Sequence, residues 1–293
     1  MISVIILTLN SVRFIKSCLD SILNQKVDRV ELIVVDNGSN DGTVTFIKEN
    51  YPQVRLIENR FNFGAAKARN QGIEVAHGEW ILSLDCDVVL DKDFFCNIRN
   101  NLKVLSPGVG LIQPKILEAG GKIIYSAGIA ISFLRRFYDI GRGKNDLGQF
   151  DQAVDIFGAC SAAAFYNKKM LDVIMEDTGY FDERFFFLFE DADLSWRAGK
   201  KGWRALFCPS AVCYHKGNSS ETPKKIRQYL CLRNRYYTLL KNDSIKNYIL
   251  PFLFYDLPRL LWISIINPSA LKAIKDVFVY KNSLRHLKNL SEP

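Results

Sequence analysis

At 293 residues, 48% hydrophobic and 24% charged, the chain has the balance of a folded globular protein. It is long enough for one large α/β domain, or a catalytic domain with a smaller appendage, and shows no repeat or low-complexity stretch of a disordered or fibrous class. The formal net charge of +8 resides in the tail: residues 1–214 carry 25 Lys and Arg against 26 Asp and Glu, and residues 215–293 carry 14 against 5. A tail of that charge could meet nucleic acid, anionic lipid or a diphosphate, or only solvent.

The opening Met1–Leu7 lacks the basic segment and cleavage site of a secretory signal and reads as the first buried strand of a parallel sheet. Val4–Leu9 is followed by a helical stripe at Phe14, Cys18, Leu19, Ile22 and Leu23. A second apolar run, Glu31–Val35, ends in the polar turn Asp36-Asn37-Gly38-Ser39-Asn40-Asp41-Gly42. A helix to about Asn50, a strand at Val54–Ile57, an Ala-rich helix over 64–76 and a strand at Trp80–Leu84 follow. Alternating strand and helix predict a doubly wound, mostly parallel sheet flanked by helices, whose ligands bind beyond the carboxyl ends of the strands. Thr8 with Asn10, Asp36, and Asp85 with Asp87 all close strands and should open onto one crevice. Residues 107–157 read as a glycine-rich hairpin or loop region over that crevice, and order returns over 158–215. From about 224, basic helix-like segments alternate with the apolar run Ile249–Ile266. Pro251, Asp256, Pro258 and Arg259 make that run a poor membrane span but leave an interfacial amphipathic segment open. Seven scattered cysteines without a Cys-X-X-Cys pair read as reduced thiols of a cytosolic protein.

Asp85-Cys86-Asp87 is the most informative constellation. Two carboxylates two apart at a strand end can hold a hard divalent cation and leave positions for phosphate and water; the alternative is a solvated acidic turn. Asp36 can accept from a base N–H or a ribose hydroxyl, or begin an Asx-type turn with Asp41 capping the next helix, and the two roles are compatible. In Asn62–Asn70, small residues let a helix N-terminus approach an anion, with Lys67 or Arg69 reaching a nucleotide, or they pack tightly. Glu190 and Asp191 offer a base near a reacting carbon, or ordinary acids at a helix start. The preceding Phe185-Phe186-Phe187 lines a site or fills a core. His215 opens the loop Gly217-Asn218-Ser219-Ser220 and is either a metal or diphosphate ligand or a structural histidine.

Taken in order and spacing, Val4–Asn10, Glu31–Thr43, Asn62–Asn70, Asp85-X-Asp87 and Glu190-Asp191 resemble glycosyltransferase family 2, of the GT-A fold. The branch it looks most like is that of bacterial rhamnosyltransferases of cell-surface polysaccharide synthesis. Gly158-Ala159, Phe181–Arg197, the following histidine and Tyr229–Tyr237 with Arg233-Asn234 carry that likeness. The resemblance covers roughly 1–240. It implies that Thr8, Asn10, Asp36 and Arg69 hold the nucleoside, Lys67 and the Gly158-Ala159 pair lie on the substrate side, and Asp85 meets the ribose. It further implies Asp87, with His215, on Mg²⁺ or Mn²⁺, and Asp191 as base supported by Glu190. Cys86 stands where asparagine, alanine or proline is commoner.

The expected reaction is an inverting, in-line transfer of a sugar from a nucleotide-diphosphate donor to a glycan or lipid-linked acceptor. Rhamnose from dTDP-rhamnose is the favoured donor, with a UDP-hexose or UDP-N-acetylhexosamine as the alternative. Two rival readings fit the residues less well. A nucleotidyltransferase needs a glycine-rich phosphate loop, which Leu7-Thr8-Leu9-Asn10-Ser11 lacks. A non-catalytic glycan or nucleic-acid binder has no use for both acidic motifs. The expected organisation is a catalytic domain over 1–220, with a nucleotide-sugar half to about 105 and an acceptor half to 220, then a helical basic region over 221–293. No nucleic-acid partner is expected; the expected location is cytoplasmic, peripheral at an anionic inner membrane face.

Overall fold

The computed structural model describes residues 1–25, 30–217 and 222–291. The loop over Asn218–Ser220 and the boundary at 220–221 lie outside them. Strands β1 (Ile2–Thr8), β2 (Val30–Asp36), β3 (Arg55–Glu58) and β4 (Trp80–Asp85) pair in parallel in the order β4-β1-β2-β3. Helices α1 (Val12–Leu23), α2 (Thr43–Asn50) and α3 (Ala65–Glu74) connect them. Side chains alternate between two cores because successive strand residues face opposite ways. Val4, Ile6, Leu32, Val34, Leu82 and Leu84 join Ile15, Leu19 and Ile47 on one face. Ile5, Ile33, Val35 and Ile81 join Ala66, Ala68 and Ile73 on the other. A sheet buried on both faces explains the unbroken Val/Ile/Leu runs. The buried stripe of α1 runs through Ile15, Cys18, Leu19 and Ile22, while Leu23 is 41% exposed; the helix is rotated by about one residue from the expected stripe.

The second half adds β5 (Val88–Leu90), α4 (Phe94–Lys103), β6 (Val109–Glu118), β7 (Ile124–Ser126), β8 (Ile129–Ile131), β9 (Phe137–Asp139), β10 (Asp155–Ile156) and β11 (Ala163–Asn167). Helix α5 (Lys168–Ile174), α6 (Glu190–Lys200) and β12 (Arg204–His215) complete it. β11 runs antiparallel to both β4 and β6, and β12 is parallel to β6, so the sheet continues past β4 as β11-β6-β12-β10.

The expectation of loops over 107–157 needs correction. β6 is buried along almost its whole length and is central to the sheet. Pro114 hides it, since a proline cannot donate to a ladder and argues against a central strand. β12 accommodates it: its register shifts between Cys208, opposite Pro114, and Val212, opposite Lys115. Only the β7–β9 stretch with its turns behaves as the expected hairpin region.

The C-terminal part is helical: α7 (Lys224–Asn242), α8 (Ile249–Pro251), a π-helical turn (Phe252–Asp256), α9 (Leu257–Ile266) and α10 (Lys272–Ser291). The prolines do not break the apolar run. Pro258 falls in the first turn of α9, where its missing N–H costs nothing, and the π-turn precedes it. The resulting 21-residue helical stretch Lys246–Ile266 is long and apolar enough to cross a membrane by length and composition.

Helix α7 is fixed to the sheet domain by buried charge. Lys241 reaches Glu176 at 2.5 Å, Asp182 at 2.9 Å and Asp193 at 3.0 Å, and Asn242 donates to Asp193 at 2.7 Å. Burial pushes the Asp182 carboxyl up, but hydrogen bonds from Arg184 and the Lys241 charge outweigh it and hold the group well below the usual range. A depressed carboxylate stabilises the fold above its unfolded value and loses that contribution as pH falls through the folded one. Asp182→Asn is therefore expected to cost about 3–5 kcal/mol at neutral pH, because it leaves Lys241 under-compensated. Thermal melts from pH 8 to 3 should show the gap from wild type closing as pH falls below about 4.

Candidate active site

The carboxyl ends of β1, β2 and β4 meet where the strand order reverses, the position at which open α/β sheets bind ligands. A cavity of about 650 Å³ opens there. Thr8, Arg69, Asp85, Glu190, Asp191 and His215 line it, drawn together from β1, α3, β4, α6 and β12. Asn10, Asp36, Lys67, Asp87, Gly158 and Ala159 are not among its lining residues.

One end of the cavity is built on Asp36. Its carboxylate is buried and accepts from Thr8 Oγ1 at 2.8 Å, Gly38 N at 3.0 Å, Ser39 N at 2.8 Å and the Ser39 hydroxyl. These bonds make the expected Asx-type turn, and beside it Thr8, Asn37 and Asn62 lie at the cavity surface. Asn10 (φ 50°) ties the end of β1 to the same turn, donating to Ser39 Oγ and accepting from Asn40 N. Asp41 accepts from Val12 N and Thr43 N, and so serves the starts of both α1 and α2.

On α3, Arg69 and Lys67 part company. Arg69 is buried, with Nη1 on Glu190 at 2.5 Å, Nη2 on Asp85 at 3.3 Å and Nε on Ser83 at 2.9 Å. Its charge is therefore already committed to the acids of the site. Lys67 pairs with Glu183 at 3.3 Å. The small residues of this segment serve close packing: a Cβ on Gly64 (φ +89°) would lie 2.5 Å from the Phe186 carbonyl. Gly158 is likewise pressed on α6, where a Cβ would meet Ser195 at 2.4 Å, and Ala159 N donates to Ser195 Oγ at 3.3 Å. That pair holds the loop whose next residues, Cys160, Ser161 and Ala162, do line the cavity.

Asp85, Asp87 and His215 present one ligand atom each, all within 4.8 Å of one another. His215 Nε2 lies 3.0 Å from Asp87 Oδ1 and 3.9 Å from Asp85 Oδ2. Burial pushes the Asp85 carboxyl up, Arg69 and His215 pull it down, and the neighbouring Asp87 charge raises it again. Two close carboxylates in a buried setting, joined by an imidazole whose Nδ1 has no hydrogen-bond partner among the described residues, fit a hard divalent cation that accepts a nitrogen ligand. Cys86 is a middle residue facing Ser11 Oγ at 3.0 Å.

Asp191 sits in the first turn of α6. Ser161 N donates to its Oδ2 at 3.1 Å and Ala192 N to its Oδ1 at 2.8 Å. Burial and the adjacent Glu190 charge push its carboxyl up to about 7, against the pull of Ser161 and Arg69. A base with that affinity is half-ionised near neutrality, the range general-base catalysis needs. Burial raises Glu190 too; Arg69 holds its Oε1, and its buried Oε2 has no hydrogen-bond partner among the described residues.

The chain reaches α6 through a strained approach. Phe186, Leu188 and Phe189 have φ of 65°, 70° and 70°, a region costly for bulky residues. Asn234 of α7 stabilises it, donating to the carbonyls of Phe185 at 3.0 Å, Phe187 at 2.7 Å and Leu188 at 2.7 Å. Phe185 is core and Phe186 and Phe187 line the cavity, so both readings of the aromatic run hold, residue by residue. Asn234→Ala should cost about 1–3 kcal/mol of stability through the orphaned carbonyls. It should also lower turnover more than donor affinity, a split that steady-state kinetics beside a thermal melt would measure.

Sequence reasoning missed Tyr125, Asp139, Arg142 and Ser161. Arg142 Cζ lies 3.8 Å over the Tyr125 ring, which packs edge-on at 4.2 Å against His215. This stack buttresses the His215 imidazole from the β7–β9 region. No motif spacing marks it, because these residues meet only once that region folds over the cavity.

The family described as "Glycosyl transferase family 2" matches residues 3–175. A poly-beta-1,6-N-acetyl-D-glucosamine synthase of Staphylococcus aureus (strain COL) is 28% identical over 215 residues, 70% of this chain and 47% of that protein. The E. coli K12 glycosyltransferase YibD is 40% identical over 89 residues, 29% of this chain and 26% of that one. The chain thus spans less than half the length of these curated relatives. A Pyrobaculum calidifontis mannosyltransferase, solved with GDP-Man and Mn²⁺, superposes with a TM-score of 0.57 at 19% identity over 96% of this chain and 75% of its own. S. aureus TarS 1–349 with UDP-GlcNAc gives 0.60 at 17% over 95% and 81%. At such identities the structures speak for the fold, which is GT-A. With the family match running over more than half of the chain, from β1 through the Asp85-X-Asp87 turn to α5, the chain belongs to glycosyl transferase family 2.

Proposed function

We propose that the chain catalyses inverting, metal-dependent transfer of one sugar from a nucleotide-diphosphate donor to the hydroxyl of a glycan or lipid-linked acceptor. The observation that carries this reading is one cavity lined by Asp85 and His215 of the Asp85–Asp87–His215 cluster and by Asp191, with its carboxyl raised to about 7. Thr8, Asn37 and Asn62 face the nucleoside, with Asp36 and Asn10 shaping the turn beneath them. Asp85, Asp87 and His215 would hold Mg²⁺ or Mn²⁺, which would supply charge neutralisation for the departing diphosphate. Asp191 takes the acceptor proton as that oxygen attacks opposite the leaving group, so the anomeric configuration inverts. Arg69 holds Glu190 in place beside it, and Phe186 and Phe187 exclude water from the reacting centre.

Two donor readings follow from the residues. Resemblance to the rhamnosyltransferase branch favours dTDP-rhamnose. The relatives named for N-acetylglucosamine polymer synthesis, and TarS bound to UDP-GlcNAc, support a UDP-N-acetylhexosamine. A panel of nucleotide sugars scored by thermal shift and product formation, with Mn²⁺, Mg²⁺ or chelator, separates them. A cation-dependent shift and turnover with one donor is the expected result; no shift or turnover with any donor would overturn the proposal. The work in cell-surface polysaccharide synthesis would then be done by a peripheral protein at the cytoplasmic face of an anionic membrane.

A further inference from the structure

We infer that the helical stretch Lys246–Ile266 is the membrane contact itself, a foot lying in the plane of an anionic bilayer interface and not crossing it. The inference deepens, and rests on, the peripheral-membrane part of the proposed function. It starts from exposure. Phe254 is 68% exposed, Leu261 61%, Trp262 56% and Ile265 80%, within one 21-residue apolar helix of which 17% is buried among the described residues. Soluble monomers rarely display so continuous an apolar surface. Trp262 is the side chain suited to the boundary between headgroups and acyl chains.

The opposite side of the same helix is not free. Asp256 is fully buried and pairs with Arg235 of α7 at 2.9 Å, while Tyr248 Oη donates to it at 3.0 Å. Ile263 packs with Leu232 of α7 and with Ala270 and Ala273. A spanning orientation would carry this ion pair, and the α7 wall behind it, into hydrocarbon, where charge is costly. An in-plane orientation leaves the pair inside protein and buries only the apolar face. At about 1.5 Å per residue the helix is about 30 Å long, enough for a broad contact.

Charge selects the lipid. Lys246 precedes the apolar stretch and Lys272 and Lys275 follow it, all exposed, whereas the acids within 246–281 are Asp256, buried on Arg235, and Asp276, which accepts from the Tyr229 hydroxyl. A basic rim around an apolar face complements anionic headgroups. The placement also has a consequence for the reaction. Residues 234 and 235 are neighbours on α7: Asn234 holds the strained approach to Glu190 and Asp191, and Arg235 holds the foot. Ile226 and Leu230 of α7 line the cavity, so the acceptor side of the site is built on the helix that carries the membrane contact.

The test is co-sedimentation of the full chain with vesicles of phosphatidylcholine alone or with phosphatidylglycerol. Wild type, a Leu261→Asp/Trp262→Asp double variant and a Lys272→Glu/Lys275→Glu double variant are compared, each also assayed for donor hydrolysis in detergent-free buffer. Wild type should bind the anionic vesicles and be released by alkaline carbonate. Both double variants should bind about tenfold more weakly or worse with donor hydrolysis unchanged. Full binding by the Leu261→Asp/Trp262→Asp variant overturns this surface while leaving the peripheral reading intact. No binding by wild type overturns both. Retention after carbonate overturns the in-plane mode, and a wild-type dimer that this variant makes monomeric would show that a second copy covers the face.

Discussion

Asp191→Asn is expected to leave nucleotide-sugar and Mn²⁺ binding within about twofold of wild type and to reduce turnover by about 10²–10⁴. The amide keeps the side-chain volume and its one oxygen can still accept from Ser161 N or Ala192 N, though not both, and it cannot take a proton. The pH dependence gives the second half of the prediction. Because burial and the Glu190 charge raise the Asp191 carboxyl to about 7, the unprotonated form accumulates as pH rises through neutrality. Wild-type turnover should therefore climb through pH 7 and level off above it, and the Asn variant should lack that limb. Glu190→Gln removes the neighbouring charge and should move the limb to lower pH. Stability has the opposite sign. A carboxyl whose folded affinity is raised stabilises the fold fully below its unfolded value, and that contribution is lost as pH rises through the folded one. Above about pH 7 the Asn variant should therefore melt at or above the wild-type temperature. Wild-type turnover by Asp191→Asn with donor saturating would remove Asp191 from the role of base.

The contrast between residues that could be placed from sequence and those that could not is physical. The parallel half was legible because each buried strand is a continuous Val/Ile/Leu run closed by a polar residue, and the doubly wound rule then sends Thr8, Asp36 and Asp85 to one edge. Asp85-X-Asp87 and Glu190-Asp191 were legible as motifs, being short and local. What sequence could not show is how charge is shared. Arg69 looks like a nucleotide contact along the chain, yet in three dimensions it lies between Asp85 and Glu190. Asp36 reads along the chain as a ligand acceptor or the start of a turn, and only in three dimensions do the bonds from Thr8, Gly38 and Ser39 make the turn visible. β6 was hidden by Pro114, whose tolerance depends on a register shift in a strand about ninety residues later. The role of Asn234 depends on left-handed residues that carry bulky side chains, a conformation no propensity scale would assign to Phe186 or Leu188.

Removing a metal ligand should produce the largest loss. Asp87→Ala is expected to reduce transfer by more than about 10³-fold, since a cation held there would supply most of the countercharge for the leaving group. Chelation should do the same to wild type and be reversed by added Mn²⁺, whereas Mn²⁺ should not restore the variant. Asp87 is buried and faces His215 Nε2 at 3.0 Å, so deleting it disturbs packing as well as charge. Asp87→Asn keeps the volume and serves as the second variant: its melting temperature should stay near wild type while its Mn²⁺ affinity, measured by calorimetry, falls at least about tenfold. His215→Ala should be the mildest of the three, because Asp85 and Asp87 remain as charged oxygen ligands while only the neutral nitrogen is lost. The order Asp87→Ala, Asp87→Asn, His215→Ala, from most to least damaging, follows from ligand charge. An Asp87→Asn variant with wild-type Mn²⁺ affinity and turnover would move the cation off this cluster, and the diphosphate would then need its countercharge from Arg142 or Arg227, the remaining basic groups on the cavity wall.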